Sequence, residues 1–148
     1  LLSTLIPGAE QWPSFKRNLS EKFEARLIQV SVNKSPSIFF KDMEGSRIPV
    51  PVAHGEGRVD VSAELLKNNL TSITYSNSHD YQTESYPDNP NGSYKGIAGL
   101  TNESGTVTIM MPHPERAFLK NQLSWSPEEW THYSPWIKFF QNARKFIN

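Results

Sequence analysis

Residues 95–116 read KGIAGLTNESGTVTIMMPHPER. Two apolar runs, 95–101 and 106–111, flank Asn102-Glu103-Ser104-Gly105, four residues of turn chemistry, so the stretch predicts a β-hairpin. The second run leads into Met110-Met111-Pro112-His113-Pro114-Glu115-Arg116. That places a loop at the carboxyl end of a strand, the edge at which ligands bind in open α/β sheets. Pro114 fixes its own φ and biases His113 toward an extended conformation. In an extended segment residues i and i+2 project to the same side, so His113 and Glu115 are presented together. An imidazole with a carboxylate on its far nitrogen is the arrangement of an oriented general base. On these residues alone, a surface turn that happens to carry a His and a Glu is the other reading.

Working outward, residues 24–32 (EARLIQVSV) place Ile28, Val30 and Val32 on one side at period two, a strand. Ser35-Pro36 opens a short turn of helix over Ile38, Phe39 and Phe40, which Gly45 breaks. Residues 47–53 (RIPVPVA) predict a strand whose two prolines confine it to an edge or an irregular stretch. Residues 60–69 are a strand tail followed by a short helix, or one poorly capped helix; residues 70–76 (LTSITYS) are a strand. Asn77 to Tyr94 is polar and turn-rich. Near the end, Ser126-Pro127-Glu128-Glu129 fits a capping box with proline at the first helical position. Ser134-Pro135 opens a second helix with Trp136, Phe139, Phe140, Ala143, Phe146 and Ile147 on one apolar stripe. Strands with flanking helices predict a layered α/β or α+β domain.

Composition narrows the function classes. Fifteen basic and fifteen acidic residues cancel over 148 positions, so no overall field steers the chain onto nucleic acid or an anionic membrane. No apolar stretch approaches the ~18 residues of a membrane span. Cysteine is absent, which excludes disulfides and a cysteine nucleophile among these residues. His54, His79, His113 and His132 are scattered without ligand spacing, so no metal is expected. The second candidate site is Ala53-His54-Gly55-Glu56-Gly57-Arg58, where glycines let the backbone turn sharply and approach a ligand; a tight turn with a surface histidine is the alternative. Asn89-Pro90-Asn91-Gly92-Ser93 reads as a turn. The opening Leu1-Leu2-Ser3-Thr4-Leu5 has neither the charged lead-in nor the cleavage site of a signal peptide. It looks like the last turns of a helix begun elsewhere, so a fragment of a longer protein is expected.

Taken together and in order, these segments resemble the glutaminase domain of phosphoribosylformylglycinamidine synthases. The resemblance rests on Leu5 to Glu10, Trp12-Pro13, Phe15 to Asn18 and Phe23 to Arg26, then on Ser35-Pro36-Ser37 with Phe39-Phe40 and on His54-Gly55-Glu56-Gly57-Arg58. It continues through Tyr86-Pro87, Asn89-Pro90-Asn91-Gly92-Ser93 and Met110 to Arg116. The ending, with Trp125, Pro127 to Trp130, Pro135-Trp136 and Asn142-Ala143-Arg144, is similar to the terminus of the large single-chain form.

The resemblance implies a class I glutamine amidotransferase with a flavodoxin-like α/β fold, incomplete here, with residues 1–148 as its C-terminal part beginning just after the nucleophile elbow. In that family a cysteine attacks the glutamine side-chain amide, the thioester is hydrolysed, and ammonia passes to a synthase part. There ATP, with Mg, activates formylglycinamide ribonucleotide for conversion to the amidine in purine biosynthesis. By resemblance His113 and Glu115 are catalytic, His113 as base and Glu115 as its orienter, while His54 and Gly55 lie near the amino-acid end of the substrate. The implied partners are glutamine, the rest of the amidotransferase domain and the synthase domains; the implied location is cytoplasmic. The chain departs from the family pattern in lacking the cysteine and the loop of oxyanion donors, so alone it is expected to be inactive. Two other readings stand beside this one: a non-catalytic glutaminase-like module, and an unrelated interaction domain using exposed Trp12, Trp125 and Trp130.

Overall fold

A computed structural model of the protein describes residues 5–7, 9, 12–60, 69–79 and 81–148. The helix end expected before Leu5 and most of the 60–69 segment lie outside the described residues. Seven strands are formed: β1 (Phe15–Arg17), β2 (Glu24–Val32), β3 (Arg47–His54), β4 (Glu56–Val59), β5 (Thr71–Ser76), β6 (Ile97–Thr101) and β7 (Thr108–Met110). A five-stranded sheet runs β3-β2-β5-β6-β7, and β1 pairs with β4 in a separate two-stranded ribbon.

Every described pairing is antiparallel. The domain therefore combines sheet and helix as expected, but the parallel strands of a doubly wound fold are not among the described residues. Parallel pairing needs a long crossover, usually a helix. The one α-helix described, α1 (Ile137–Ile147), follows all the strands, so it joins none of them.

The expected hairpin is β6 and β7, with Leu100 opposite Ile109. Its loop closes through Val107 N–H, which donates to the Asn102 side-chain oxygen at 3.0 Å. Gly105 adopts a φ of +72°, in the left-handed region that favours glycine, and a Cβ there would collide with the Pro36 carbonyl.

 

Adjacent residues of the hairpin divide between two apolar clusters, so the sheet is covered on both faces. Ala98 and Met110 join Ile28, Val30, Val50, Val52, Ile73, Tyr75 and Trp136 on one side. Ile97 and Ile109 join Ala9, Trp12, Phe15, Val59 and Leu70 on the other. Helix α1 docks on the first cluster through Trp136 and Phe139, whose ring stacks on Phe39 at 5.0 Å. The predicted stripe is only partly core, since Phe146 and Ile147 at its far end are exposed.

Strand β3 is an edge strand, as its prolines demand, and it loses nothing by them. Pro49 and Pro51 share the parity whose main-chain groups face away from β2, so their missing N–H groups cost the ladder no bonds. Their outward carbonyls instead accept the Trp136 indole N–H at 2.8 Å and the His113 main-chain N–H at 2.9 Å. One edge thus anchors both the terminal helix and the loop that carries His113.

The helix expected after Ser126 does not form. Residues 127–130 make a single turn, Trp130 N–H to Pro127 O at 3.3 Å. The carbonyls a helix would use are taken by Lys120, whose ammonium donates to Trp130 O at 2.5 Å and Glu128 O at 3.3 Å. Its main-chain N–H donates to His132 O at 3.1 Å. Local capping chemistry is overridden by these longer-range contacts. Of the tryptophans proposed as a contact surface, Trp12 is buried and Trp130 packs on the core, leaving Trp125 exposed.

Candidate active site

His113 follows β7 and precedes a 3-10 turn, Pro114–Arg116. The pairing with Glu115 is real, but its geometry differs from the extended segment the spacing suggested. His113 has φ −108° and ψ 83°, and Glu115 lies inside the turn. Pro114 explains both: it disfavours helical backbone at the residue before it and is preorganised for the first helical position. Arg116 N–H closes the turn on His113 O at 3.1 Å. The result brings His113 Nδ1 to 2.8 Å from Glu115 Oε1. Nε2 makes no hydrogen bond to a described residue, which leaves that nitrogen to act on a reacting group. Arg116 Nε stands 3.6 Å from the same Glu115 oxygen. The dyad is open to solvent, with the side chains of His113 27% and Glu115 54% exposed.

His54 closes β3, and its ring centroid lies 6.4 Å from that of His113. The two candidate histidines, 59 positions apart in sequence by subtraction of their numbers, are therefore neighbours. Strand register sets the distance: His54 ends the same edge strand whose Pro51 carbonyl holds the His113 main chain. Gly55 contributes through its backbone, its carbonyl accepting Asn18 N–H at 2.9 Å. A Cβ at Gly55 would meet nothing, whereas one at Gly57 would lie 2.4 Å from His54 Nε2 and 2.6 Å from Asn91 Nδ2. The glycine that this motif requires is thus Gly57.

The segment read as a plain turn supplies most of what surrounds His54. Asn89 and Asn91 are buried. Asn91 Nδ2 lies 2.7 Å from His54 Nε2 and donates to Asn18 Oδ1 at 2.7 Å, while the Tyr75 hydroxyl donates to Asn91 Oδ1. Asn18 in turn donates to Lys22 O at 3.0 Å and His54 O at 2.9 Å, and accepts Gly57 N–H at 3.1 Å. Asn18, Tyr75 and Asn91 were missed because an asparagine in a polar loop ordinarily signals a turn. The one available signal was chemical: two asparagines two residues apart around a proline offer two side-chain amides that a buried loop can use.

Burial, the largest influence, lowers the proton affinity of His54; a hydrogen bond given by the ring to Asn91 would raise it, the charge of a protonated His113 lowers it further, and the Glu24 carboxylate raises it. Glu24 is buried directly opposite His54 in the β2–β3 register and is paired with Arg26 at 2.6 Å. Arg26 also meets the Tyr86 hydroxyl at 2.7 Å. Among the described residues no three His, Cys, Asp or Glu side chains gather as a metal site, and no helix is long and apolar enough to cross a membrane.

An imidazole oriented by a carboxylate, with its second nitrogen unengaged and a second imidazole alongside, can accept and return a proton at one point. The chain is similar to a solved structure described as that of PurLQS from Thermotoga maritima, with a TM-score of 0.67 and 28% sequence identity. The similarity covers 92% of this chain and 53% of that one, so the chain spans about half its length. Matching it over residues 1–147, the chain belongs to the CobB/CobQ-like glutamine amidotransferase domain family.

Proposed function

We propose that this domain serves the hydrolysis of glutamine, with His113 as general base and Glu115 as the carboxylate that orients it. The observation that carries the reading is the 2.8 Å contact between His113 Nδ1 and Glu115 Oε1. With Nδ1 held, Nε2 takes the proton of a thiol as it attacks the side-chain amide carbon, then returns it to the departing ammonia. The thioester is hydrolysed by water that the same nitrogen deprotonates, releasing glutamate. Residues 1–148 contain no cysteine, so the sulfur is supplied from outside these residues and this chain by itself releases no ammonia. His54 and Gly55 lie beside the substrate's amino-acid end.

In the same reading the parent enzyme is a phosphoribosylformylglycinamidine synthase, and its complete amidotransferase domain has the flavodoxin-like fold. Ammonia is consumed there in the ATP-dependent conversion of formylglycinamide ribonucleotide to its amidine, in the cytoplasm. ATP and magnesium are assigned to the synthase part and to no residue of this chain. Support comes from family membership over residues 1–147 and from the similarity to PurLQS.

The test is ammonia release from glutamine by the chain joined to a cysteine-bearing upstream segment, beside the same protein with His113→Ala and with the synthase partner added. Hydrolysis lost in the variant, by at least ~100-fold, supports the base assignment. A folded assembly that neither hydrolyses nor binds glutamine refutes it.

A further inference from the structure

The amide polarity around His54 is determined by Asn18. The Tyr75 hydroxyl meets Asn91 Oδ1, but a hydroxyl can also accept, so it holds the amide without fixing its polarity. The Asn18 side-chain nitrogen is committed to two carbonyls, Lys22 O at 3.0 Å and His54 O at 2.9 Å. Its oxygen must then be the atom that accepts Gly57 N–H at 3.1 Å and faces Asn91 at 2.7 Å. Only a nitrogen of Asn91 can face that oxygen. Asn91 therefore presents N–H groups, one to Asn18 and the other to His54 Nε2 at 2.7 Å.

A donor facing Nε2 requires that Nε2 carry no proton. In the uncharged ring the proton is then on Nδ1, an atom that is buried without a protein partner among the described residues. The Glu24 carboxylate stands in register across from His54, with Oε1 also buried and unpartnered. An acceptor on that side of the sheet suits a proton on Nδ1. The other charged groups around His54 are His113 with its Glu115, and Arg26, which is engaged by Glu24 and Tyr86.

We propose that Asn91 is a positioning residue: its amide, locked by Tyr75 and Asn18, holds His54 as the uncharged imidazole protonated on Nδ1 and leaves proton uptake to His113 alone. The link to His113 rests on the glutaminase reading; the state of His54 does not. Were the amide reversed, its oxygen would welcome a proton on Nε2 and two adjacent imidazolium ions would compete 6.4 Å apart between centroids. Burial lowers the proton affinity of His54 in the same direction as a donor at Nε2; the Asn91 contact would raise it only with the amide oxygen turned to Nε2, an orientation that the Asn18 oxygen excludes.

Nitrogen-15 imidazole NMR of the protein tests this directly. At neutral pH His54 should show a protonated Nδ1 and a bare Nε2, and should titrate below the ordinary imidazole range. Asn91→Asp puts an acceptor at Nε2 and should raise the His54 midpoint by about one pH unit or more, roughly tenfold in proton affinity. A wild-type His54 protonated on Nε2, or an unmoved midpoint in a folded Asn91→Asp, overturns the proposal. The wild-type spectrum decides the tautomer even where the variant does not fold. Glutamine hydrolysis by the cysteine-bearing enzyme carrying Asn91→Asp isolates the remaining claim. A moved midpoint with an unchanged pH profile of turnover overturns the link to His113.

Discussion

Alanine at the two glycines of the His54 motif should have opposite consequences, although they are two positions apart. At Gly57 a Cβ would lie 2.4 Å from His54 Cδ2 and Nε2 and 2.6 Å from Asn91 Nδ2. Neither neighbour can yield cheaply. Asn91 is tied to Tyr75 and Asn18, and His54 is tied to Asn91. Overpacking of this kind costs about 1–3 kcal/mol, and a displaced ring forfeits about 1 kcal/mol more with its hydrogen bond. A total near 2–4 kcal/mol corresponds to a fall in Tm of roughly 6–12 °C for a chain of this size. At Gly55 the Cβ enters open space and the backbone angle is one that L-residues adopt. Gly55→Ala should therefore stay within about 0.5 kcal/mol of the parent, or stabilise slightly through the unfolded chain. Thermal unfolding followed by circular dichroism on the parent and both variants decides it. Equal melting of the two variants, or a greater loss at Gly55, would show that His54 is not held where the amide network puts it.

Two further outcomes follow from the same geometry. Trp136→Phe removes the donor to Pro49 O and narrows a fully buried side chain; the loss should be about 2–4 kcal/mol, read as a lower urea midpoint at unchanged slope. Because His54 resists protonation when folded, the unfolded chain binds the extra proton as pH drops below the ordinary histidine value of 6.5. Stability from this group is present above that pH and declines as pH falls toward the depressed folded value. His54→Gln should flatten that part of the Tm profile between pH 7 and 5, and an unchanged slope would assign it to other groups.

What was legible in the sequence was whatever a local pattern decides. Period-two apolar residues at Ile28, Val30 and Val32 found β2, and the alternating prolines of residues 47–53 marked β3 as an edge. The pairing of His113 with Glu115 was legible because Pro114 couples them over three residues. Ser126 to Glu129 shows the limit of such patterns. Its capping signal is sound in itself, but Lys120 competes for the carbonyls, and no window of sequence shows which partner wins. Asn91 was hidden for a related reason. Its bonds reach 73 positions back to Asn18, 37 to His54 and 16 to Tyr75, and a buried asparagine has the same letter as an exposed one in a turn.

The prolines of β3 also explain why the two histidine motifs meet. An edge strand normally leaves a row of outward main-chain groups exposed, and the prolines at outward positions 49 and 51 remove the donors there while keeping the acceptors. The edge so formed cannot extend the sheet by ordinary pairing, but it can receive isolated N–H groups. Here it receives two, the indole of Trp136 at Pro49 and the backbone of His113 at Pro51. His54 follows Pro51 by three residues on the same strand, so the rigid strand that ends in one imidazole also fixes the main chain of the other. The separation of the two rings is therefore a property of β3 itself rather than of the loops, and the site needs no side-chain contact between the motifs to keep its shape.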